Sequence, residues 1–259
     1  MNSLAQPAKW ERYCWPAATL VLLLVLWHAA VKWTGTTVFP GPIDVEKGMA
    51  ELVHKGLLLS YVGDSLRRVG IGFSLAVILG VPFGLMLGWF PTTAQVVNPT
   101  IQMLRPISPI AWIPIAIVWF GIGDAAPVYL IFLGALFPIV VASMNSVRNI
   151  PSVYRRAGRN FGLNSLQLVR KIVFPAAFPQ IVVSLRIALG IAWLVVVAAE
   201  MIAVDSGLGY LVIDSRNSGK RYDLVVAAML LIGSIGLALD FMIRRLEKLK
   251  SVRWRLREY

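Results

Sequence analysis

The sequence predicts an all-α protein that crosses a membrane six times. Three features point there. Hydrophobic residues fill 58% of the 259 positions, too many for a soluble domain of this length to cover with polar surface. Apolar runs near the ~20 residues that span a bilayer recur along the chain. Between two long apolar runs lies a basic island, Arg148 to Pro179, which carries Arg148, Arg155, Arg156, Arg159, Arg170 and Lys171 and no acidic residue. Such a segment cannot sit in hydrocarbon, and the positive-inside rule assigns it to the cytoplasmic face.

A net charge of +12 is of the kind that binds nucleic acid. Here, however, the basic residues gather at membrane edges and not along an aromatic-studded groove, which argues against a nucleic-acid partner. Cys14 is the only cysteine, so no internal disulfide forms and the thiol does not report a compartment. His28 and His54 stand far apart with no ligand cluster around them, which argues against a metal site.

In chain order, Lys9 and Arg12 precede the apolar run Trp15 to Val31. This run is long for a signal peptide, and His28-Ala29-Ala30 is a poor cleavage site, so it reads as a retained first span with a cytoplasmic N-terminus. Thr34 to Gly63 is then external, with Phe39-Pro40-Gly41-Pro42 extended or turned and a surface helix from Ile43 to His54. Arg67 and Arg68 mark the entry to a second span, Val69 to Trp89, their long side chains reaching the headgroups. Within it Gly80, Gly84 and Gly88 recur every four residues. They align on one face and permit close helix packing in lipid, where contact replaces the hydrophobic effect.

The third span, Ala94 to Phe120, holds Leu104-Arg105-Pro106-Ile107-Ser108-Pro109-Ile110-Ala111-Trp112-Ile113-Pro114. Each proline removes a backbone donor and frees a carbonyl upstream, which is tolerated at membrane depth only where protein or a watery cavity satisfies it. An arginine at the bilayer centre costs ~2.5–3.5 kcal/mol on insertion scales. Arg105 therefore either faces an anion, a carboxylate or water, or forms a structural pair or snorkels to the cytoplasmic edge. Arg105, Ser108 and Trp112 offer positive charge, a hydroxyl and an aromatic wall, and are the candidate lining of a membrane pathway that would suit a small anion.

An external turn, Gly121 to Ala126, leads to a fourth span, Pro127 to Ser146, and then to the basic island. There Tyr154 to Phe161 reads as a helix, Gly162 breaks it with a positive φ or a close backbone approach, and a second helical run, Ser165 to Val173, closes at Phe174-Pro175. The result is a short rigid element that projects from the membrane for a soluble partner to grip. In the following span Arg186 and Glu200 lie fourteen residues apart, about 21 Å along a helix, so they cannot pair directly. Glu200 lies deep or near the outer edge and joins Arg105 only if packing brings their helices together; it is a candidate pathway residue.

Asp205 to Arg221 is external and reads as an amphipathic surface or gate helix. Its Ser218-Gly219-Lys220 invites a phosphate-loop reading that fails, because the motif needs glycine at 214 and Ser or Thr at 221, where this chain has Asp214 and Arg221. This segment is therefore not a nucleotide-binding loop. A sixth span, Tyr222 to Ile243, ends in Arg244-Arg245, followed by a basic tail with Lys248, Lys250, Arg253, Arg255 and Arg257. Most basic residues then lie inside, and six spans with both termini cytoplasmic are self-consistent.

The island carries a family resemblance. Arg156-Ala157-Gly158, three residues, Gly162, nine residues and Ile172-Val173-Phe174-Pro175 resemble the EAA loop of ABC-importer permeases. The spacing is kept throughout. Arg156 stands where that family has Glu, Gly158 where it has Ala, and Phe174 where it has Leu. The run from Arg105 to Gly123, the entry Ser65-Leu66-Arg67-Arg68-Val69 and Leu185 to Ile202 further resemble the taurine, alkanesulfonate, nitrate and bicarbonate branch of these permeases.

The resemblance implies a type I, MetI-like importer fold: five core helices plus an extra N-terminal one. It implies a core permease domain over 64–247, preceded by an N-terminal helix and external segment over 1–63 and followed by a basic tail over 248–259. The coupling loop over 148–175 would meet the ATPase through Tyr154, Arg155, Arg156, Ala157, Gly158, Gly162, Leu163, Ile172 and Pro175. Implied partners are a second copy of the chain, two cytoplasmic ATP-binding subunits that carry the ATP and Mg, and a periplasmic or lipid-anchored binding protein, all at a bacterial inner membrane. The chain itself would hold no cofactor and catalyse no reaction. Two other classes remain open to the residues alone. A self-contained secondary transporter of a small anion would also show broken helices and midplane charge. A membrane enzyme would need a convergent nucleophile or metal constellation, and Glu200, Asp205 and Asp214 lack an obvious partner for one.

Overall fold

The computed structural model describes residues 11–35 and 39–247. The described residues form helices and turns without a strand: α1 (Glu11–Thr34), α2 (Pro42–His54), α3 (Leu57–Trp89), α4 (Pro91–Leu104), a 3-10 turn (Pro109–Trp112), α5 (Ile113–Phe120), α6 (Ala125–Arg148), α7 (Ser152–Asn160), α8 (Ser165–Leu168), a π turn (Val169–Val173), α9 (Phe174–Ala203), α10 (Leu208–Gly219) and α11 (Tyr222–Glu247). Lys9 and the tail beyond Glu247 lie outside the described residues.

Four helical stretches are long and apolar enough to cross a membrane: Leu57–Trp89, Ala125–Arg148, Ser165–Ala203 and Tyr222–Arg245. Pro91–Leu104 with Pro109–Phe120 makes a fifth if taken together. The apolar part of α1, Ala18–Thr34, is shorter. The bilayer accepts only backbone that bonds to itself, and helices meet that demand within one segment.

Three expectations need correction. The second span begins at Leu57 and not at Val69, because nothing between them breaks a helix after the left-handed Gly56 (φ +68°) that precedes it. The third segment is not one straight span: it bends by 83° between Leu104 and Pro109. There Pro106 and Pro109 cannot donate to the helical ladder. The second helical run of the island does not end at Pro175. The chain continues through Pro175 into α9, making one stretch from Ser165 to Ala203. Pro175 falls in the first turn of α9, where its missing N–H costs little, and the wide π turn just upstream relieves the crowding that a proline ring meets in an α-helix.

α3, α6 and α9 form the centre of the bundle, with Leu130, Ile131, Ile139 and Val196 fully buried among them. The glycine stripe of α3 faces α6. A Cβ at Gly84 would lie 2.5 Å from the Val140 carbonyl oxygen, and one at Gly88 would lie 2.6 Å from Val147 Cβ. Only glycine lets the two backbones approach so closely, and in lipid that contact is the main source of association. α9 and α11 are joined by the Arg186–Asp240 ion pair, and Asp240 also meets Arg244 at 2.9 Å.

At the end of the bundle where α9 finishes, α2 packs on α11. Gly48 gives room for Asp223 and Leu224, and Arg221 bridges Glu51 at 2.6 Å and Asp223 at 2.7 Å. The Arg221 guanidinium, with Lys55 assisting, holds the Glu51 carboxyl well below its ordinary range, at about 2. The island lies at the other end, beside Trp89 and the start of α9.

Candidate functional site

The island folds as two short helices set on a small apolar base. Val147, Ile150, Leu168, Val173, Ala177 and Ile181 are buried there, with Trp89 and Leu163 packed against them. Gly158 is buried on this base: a Cβ would meet Ile172 Cδ1 at 2.6 Å and Leu168 Cδ1 at 3.1 Å, so the helix sits lower on Ile172 and Leu168 than alanine would allow. Gly162 has φ +77° with open space around it, the left-handed turn expected between the helices. Asn164 then caps α8, its Oδ1 accepting from the Gln167 backbone N–H at 2.8 Å while Gln167 Oε1 accepts from the Asn164 N–H at 3.1 Å.

This base turns the rest of the corner outward. Tyr154, Arg156, Ala157 and Pro175 are exposed, Arg155, Leu163 and Ile172 half-buried. Phe161 is 86% exposed and Val153 69%. Large apolar side chains held in the open on a rigid, basic corner are what a protein groove would cover.

The second assembly is the bend between α4 and α5. Arg105 and Ser108 are exposed in it, and Trp112 is half-buried, its indole Nε1 buried without a hydrogen-bond partner. The bend is seated on α6 and α9 through Gly134, where a Cβ would lie 3.1 Å from Pro109 Cγ and 3.2 Å from Val195 Cγ2. Arg105 and Ser108 thus share one break in the backbone, and Trp112 follows in the next turn.

Glu200 is not with them. It is fully buried at the far end of α9, where it accepts from Arg68 Nη1 at 2.8 Å, from Ser65 Oγ at 2.8 Å and from the Gly209 backbone N–H at 3.0 Å. Arg68, 2% exposed, also donates to Asp124, to the Ser206 carbonyl at 2.8 Å and to Ser206 Oγ at 2.7 Å. The expectations that Glu200 lines a pathway and that Arg68 reaches the headgroups are both corrected: each satisfies the other's charge inside the protein. Arg67, exposed, reaches Asp124 instead.

Gly207 (φ +103°) and Gly209 close over this pair, for a Cβ at Gly207 would lie 2.5 Å from the Glu200 carboxylate. Sequence reasoning missed Ser65, Arg68, Asp124, Ser206 and the two glycines. A signal was present: adjacent arginines on a helix point ~100° apart, so Arg67 and Arg68 face different neighbours, and Glu200 had no partner on its own helix.

The family described as binding-protein-dependent transport system inner membrane component matches residues 80–252. Two curated relatives carry a cargo in their names. The putative aliphatic sulfonates transport permease protein SsuC of Bacillus subtilis is 31% identical over 95% of this chain and 90% of its own length. The nitrate import permease protein NrtB of Synechocystis is 33% identical over 90% of this chain and 88% of its own. Among solved structures, an inward-facing MetNI methionine ABC transporter matches with TM-score 0.65 at 23% identity, covering 74% of this chain and 95% of that one. The fold is therefore that of the MetI-like permeases, and the secondary-transporter and enzyme readings give way. The chain belongs to the binding-protein-dependent transport system inner membrane components, the multi-pass permease subunits of ABC importers.

Proposed function

We propose that two copies of the chain, related by a two-fold axis, form the membrane pathway of an ATP-driven importer for a small oxyanion. One observation carries the cargo class: relatives that match over nearly the whole chain are named for aliphatic sulfonates and for nitrate. Taurine and bicarbonate, implied by the resemblance, fall in the same class of small molecules with an oxyanion group.

The bend supplies matching chemistry. Arg105 contributes charge and Ser108 a hydroxyl, while the bend leaves upstream carbonyls without helical partners, a condition met beside water. One copy offers half of a pore wall, which suits an isologous dimer. A cytoplasmic ATP-hydrolysing subunit grips the corner of α7 and α8 at Val153, Tyr154, Ala157 and Phe161. A binding protein delivers cargo at the opposite end, near α2 and α10, and both termini are cytoplasmic, with α1 as a sixth crossing.

The test is uptake of labelled nitrate, methanesulfonate, taurine and bicarbonate into cells that express the chain with its neighbouring ATPase and binding protein. Uptake of one of these anions that stops when the ATPase loses its catalytic residue is the expected result. Uptake that persists without the ATPase would overturn the coupling, and transport of none of the four would overturn the cargo class.

A further inference from the structure

α4 carries a polar lane that leads away from the bend. Gln95, Asn98, Gln102 and Arg105 fall at every third or fourth position of the helix and its cap, within about 80° of arc. Gln95, Gln102 and Arg105 are exposed, and Asn98 is half-buried. Ala94 and Ile101 are buried on one side of the lane, while Val96, 74% exposed, and Met103, 67% exposed, stand on the other. We propose that Gln95, Asn98 and Gln102 line the leg of the pathway that carries the anion from Arg105 to the cytoplasm, an assignment that rests on the importer reading above.

A carboxamide has two N–H donors and an acceptor, and hydrocarbon satisfies none of them. Among these side chains a single bond forms, Gln102 Nε2 donating to Asn98 Oδ1 at 3.4 Å. The lane therefore meets water and cargo, or the polar groups of a second copy. Two observations choose water and cargo. Pro99 lies inside α4 and has no N–H for the Gln95 carbonyl, so the backbone of this stretch also needs a partner. Arg105 continues the lane, and among the described residues no carboxylate pairs with it. A dry contact between copies would strand that charge.

The residue types suit passage of an anion. No Asp or Glu occurs between Asp64 and Asp124, so no carboxylate stands on α4 or α5 to repel one. A guanidinium holds an oxyanion through charge-assisted bonds roughly twice as strong as neutral ones. Conduction needs sites that bind well enough to fill and weakly enough to empty. Amides placed after the arginine meet that need, and the ten residues from Gln95 to Arg105 give a run of about 15 Å. α4 starts at Pro91, directly after Trp89, which packs beside the basic island. The lane thus lies on the island's side of Arg105, the side on which the ATPase docks.

The experiment replaces the only cysteine, Cys14 (C14S), and introduces Q95C, N98C, Q102C, V96C or M103C one at a time, in inside-out membrane vesicles that hold the chain with its ATPase. Two thiol reagents of similar size are used, the anionic sulfonatoethyl methanethiosulfonate and the cationic trimethylammonioethyl methanethiosulfonate. Each rate is divided by that reagent's rate with a free thiol, and labelling is normalised to the amount obtained after denaturation. Q95C, N98C and Q102C should react, with the anionic reagent favoured by about ten-fold, and V96C and M103C should not. Adding Arg105→Ala to Q102C should lower the preference several-fold. Q95E, which sets a carboxylate in the lane, should lower anion uptake by about ten-fold with the ATPase still bound.

Lane cysteines that stay unreactive while the wild-type complex imports an anion overturn the lane and leave the importer reading standing. Uptake by Q95E equal to wild type does the same. Disulfide cross-linking of two copies through Q102C without reagent labelling makes α4 a dry subunit contact and also overturns the lane. Equal or faster labelling by the cationic reagent overturns its selectivity for anions. Import of no anion by the wild type is the separate failure of the importer reading, and the lane falls with it.

Discussion

Arg68 and Glu200, 132 residues apart in sequence, meet at 2.8 Å with both side chains sealed inside the protein. Removing one partner of a buried pair strands the other charge and costs roughly 3–5 kcal/mol, whereas replacing both by apolar groups of similar volume is often neutral. R68M and E200L should therefore each lower the melting temperature sharply, and R68M/E200L should recover much of the loss. A double variant no more stable than the worse single one would show that Ser65, Asp124 and Ser206 depend on these charges for their own placement.

Alanine should have opposite effects at two helical glycines, one inside the α3–α6 contact and one facing open space. Gly84→Ala drives a methyl group to 2.5 Å from a backbone carbonyl and should cost roughly 1–3 kcal/mol, read as a lower unfolding temperature. Gly190→Ala in α9 meets nothing within 4 Å and should stabilise by roughly 0.5–1 kcal/mol through helix propensity.

Gly162 stands at φ +77° with open surroundings, so a side chain there pays for its backbone and not for a clash. The left-handed conformation costs roughly 1–2 kcal/mol for other residues. Gly162→Leu should leave the protein in the membrane but reset the angle between α7 and α8, lowering transport per ATP hydrolysed. Unchanged coupling in a transport and ATPase assay on the same preparation would remove the corner from the mechanism.

Arg105→Ala should lower anion uptake by about ten-fold or more, the scale of one lost hydrogen bond to a charged group, while binding of the ATPase is retained. Arg105→Lys should recover part of the rate. Uptake equal to wild type in Arg105→Ala would make the arginine structural at most.

How much of this was legible follows from range. The helices of 42–54 and 152–160, the glycine face of α3 and the left-handed Gly162 depend on residues a few positions apart, and the sequence carries those signals directly. The Arg68–Glu200 network depends on three helices meeting, so each residue read alone looked like a headgroup anchor or a pathway charge. The continuation through Pro175 was missed because a proline after a helical run reads as a stop, and only the π turn ahead of it shows that it begins a helix. Arg105 and Ser108 were legible as a break, but not the 83° bend, which rests on how Pro109 packs at Gly134.

The tie between α2 and α11 is pH-dependent. The Glu51 carboxyl is held at about 2, down from 4.5. A lowered carboxylate pKa contributes stability that is present above the unfolded value and lost as pH falls through the folded one. Protection of α2 amides, taken as the exchange rate relative to the intrinsic rate at each pH, should therefore hold down to about pH 4.5 and fall toward pH 2. E51Q should show weaker protection at neutral pH and lose the change between those values.

The stretch from Ser165 to Ala203 is 39 residues long, about 58 Å of helix. The basic corner sits at one extremity and the buried carboxylate three residues short of the other. Pivoted near its middle, a see-saw of that length tilting by about 10° swings its two tips about 5 Å in opposite senses. A push at the membrane surface on one side would thus widen the mouth on the other.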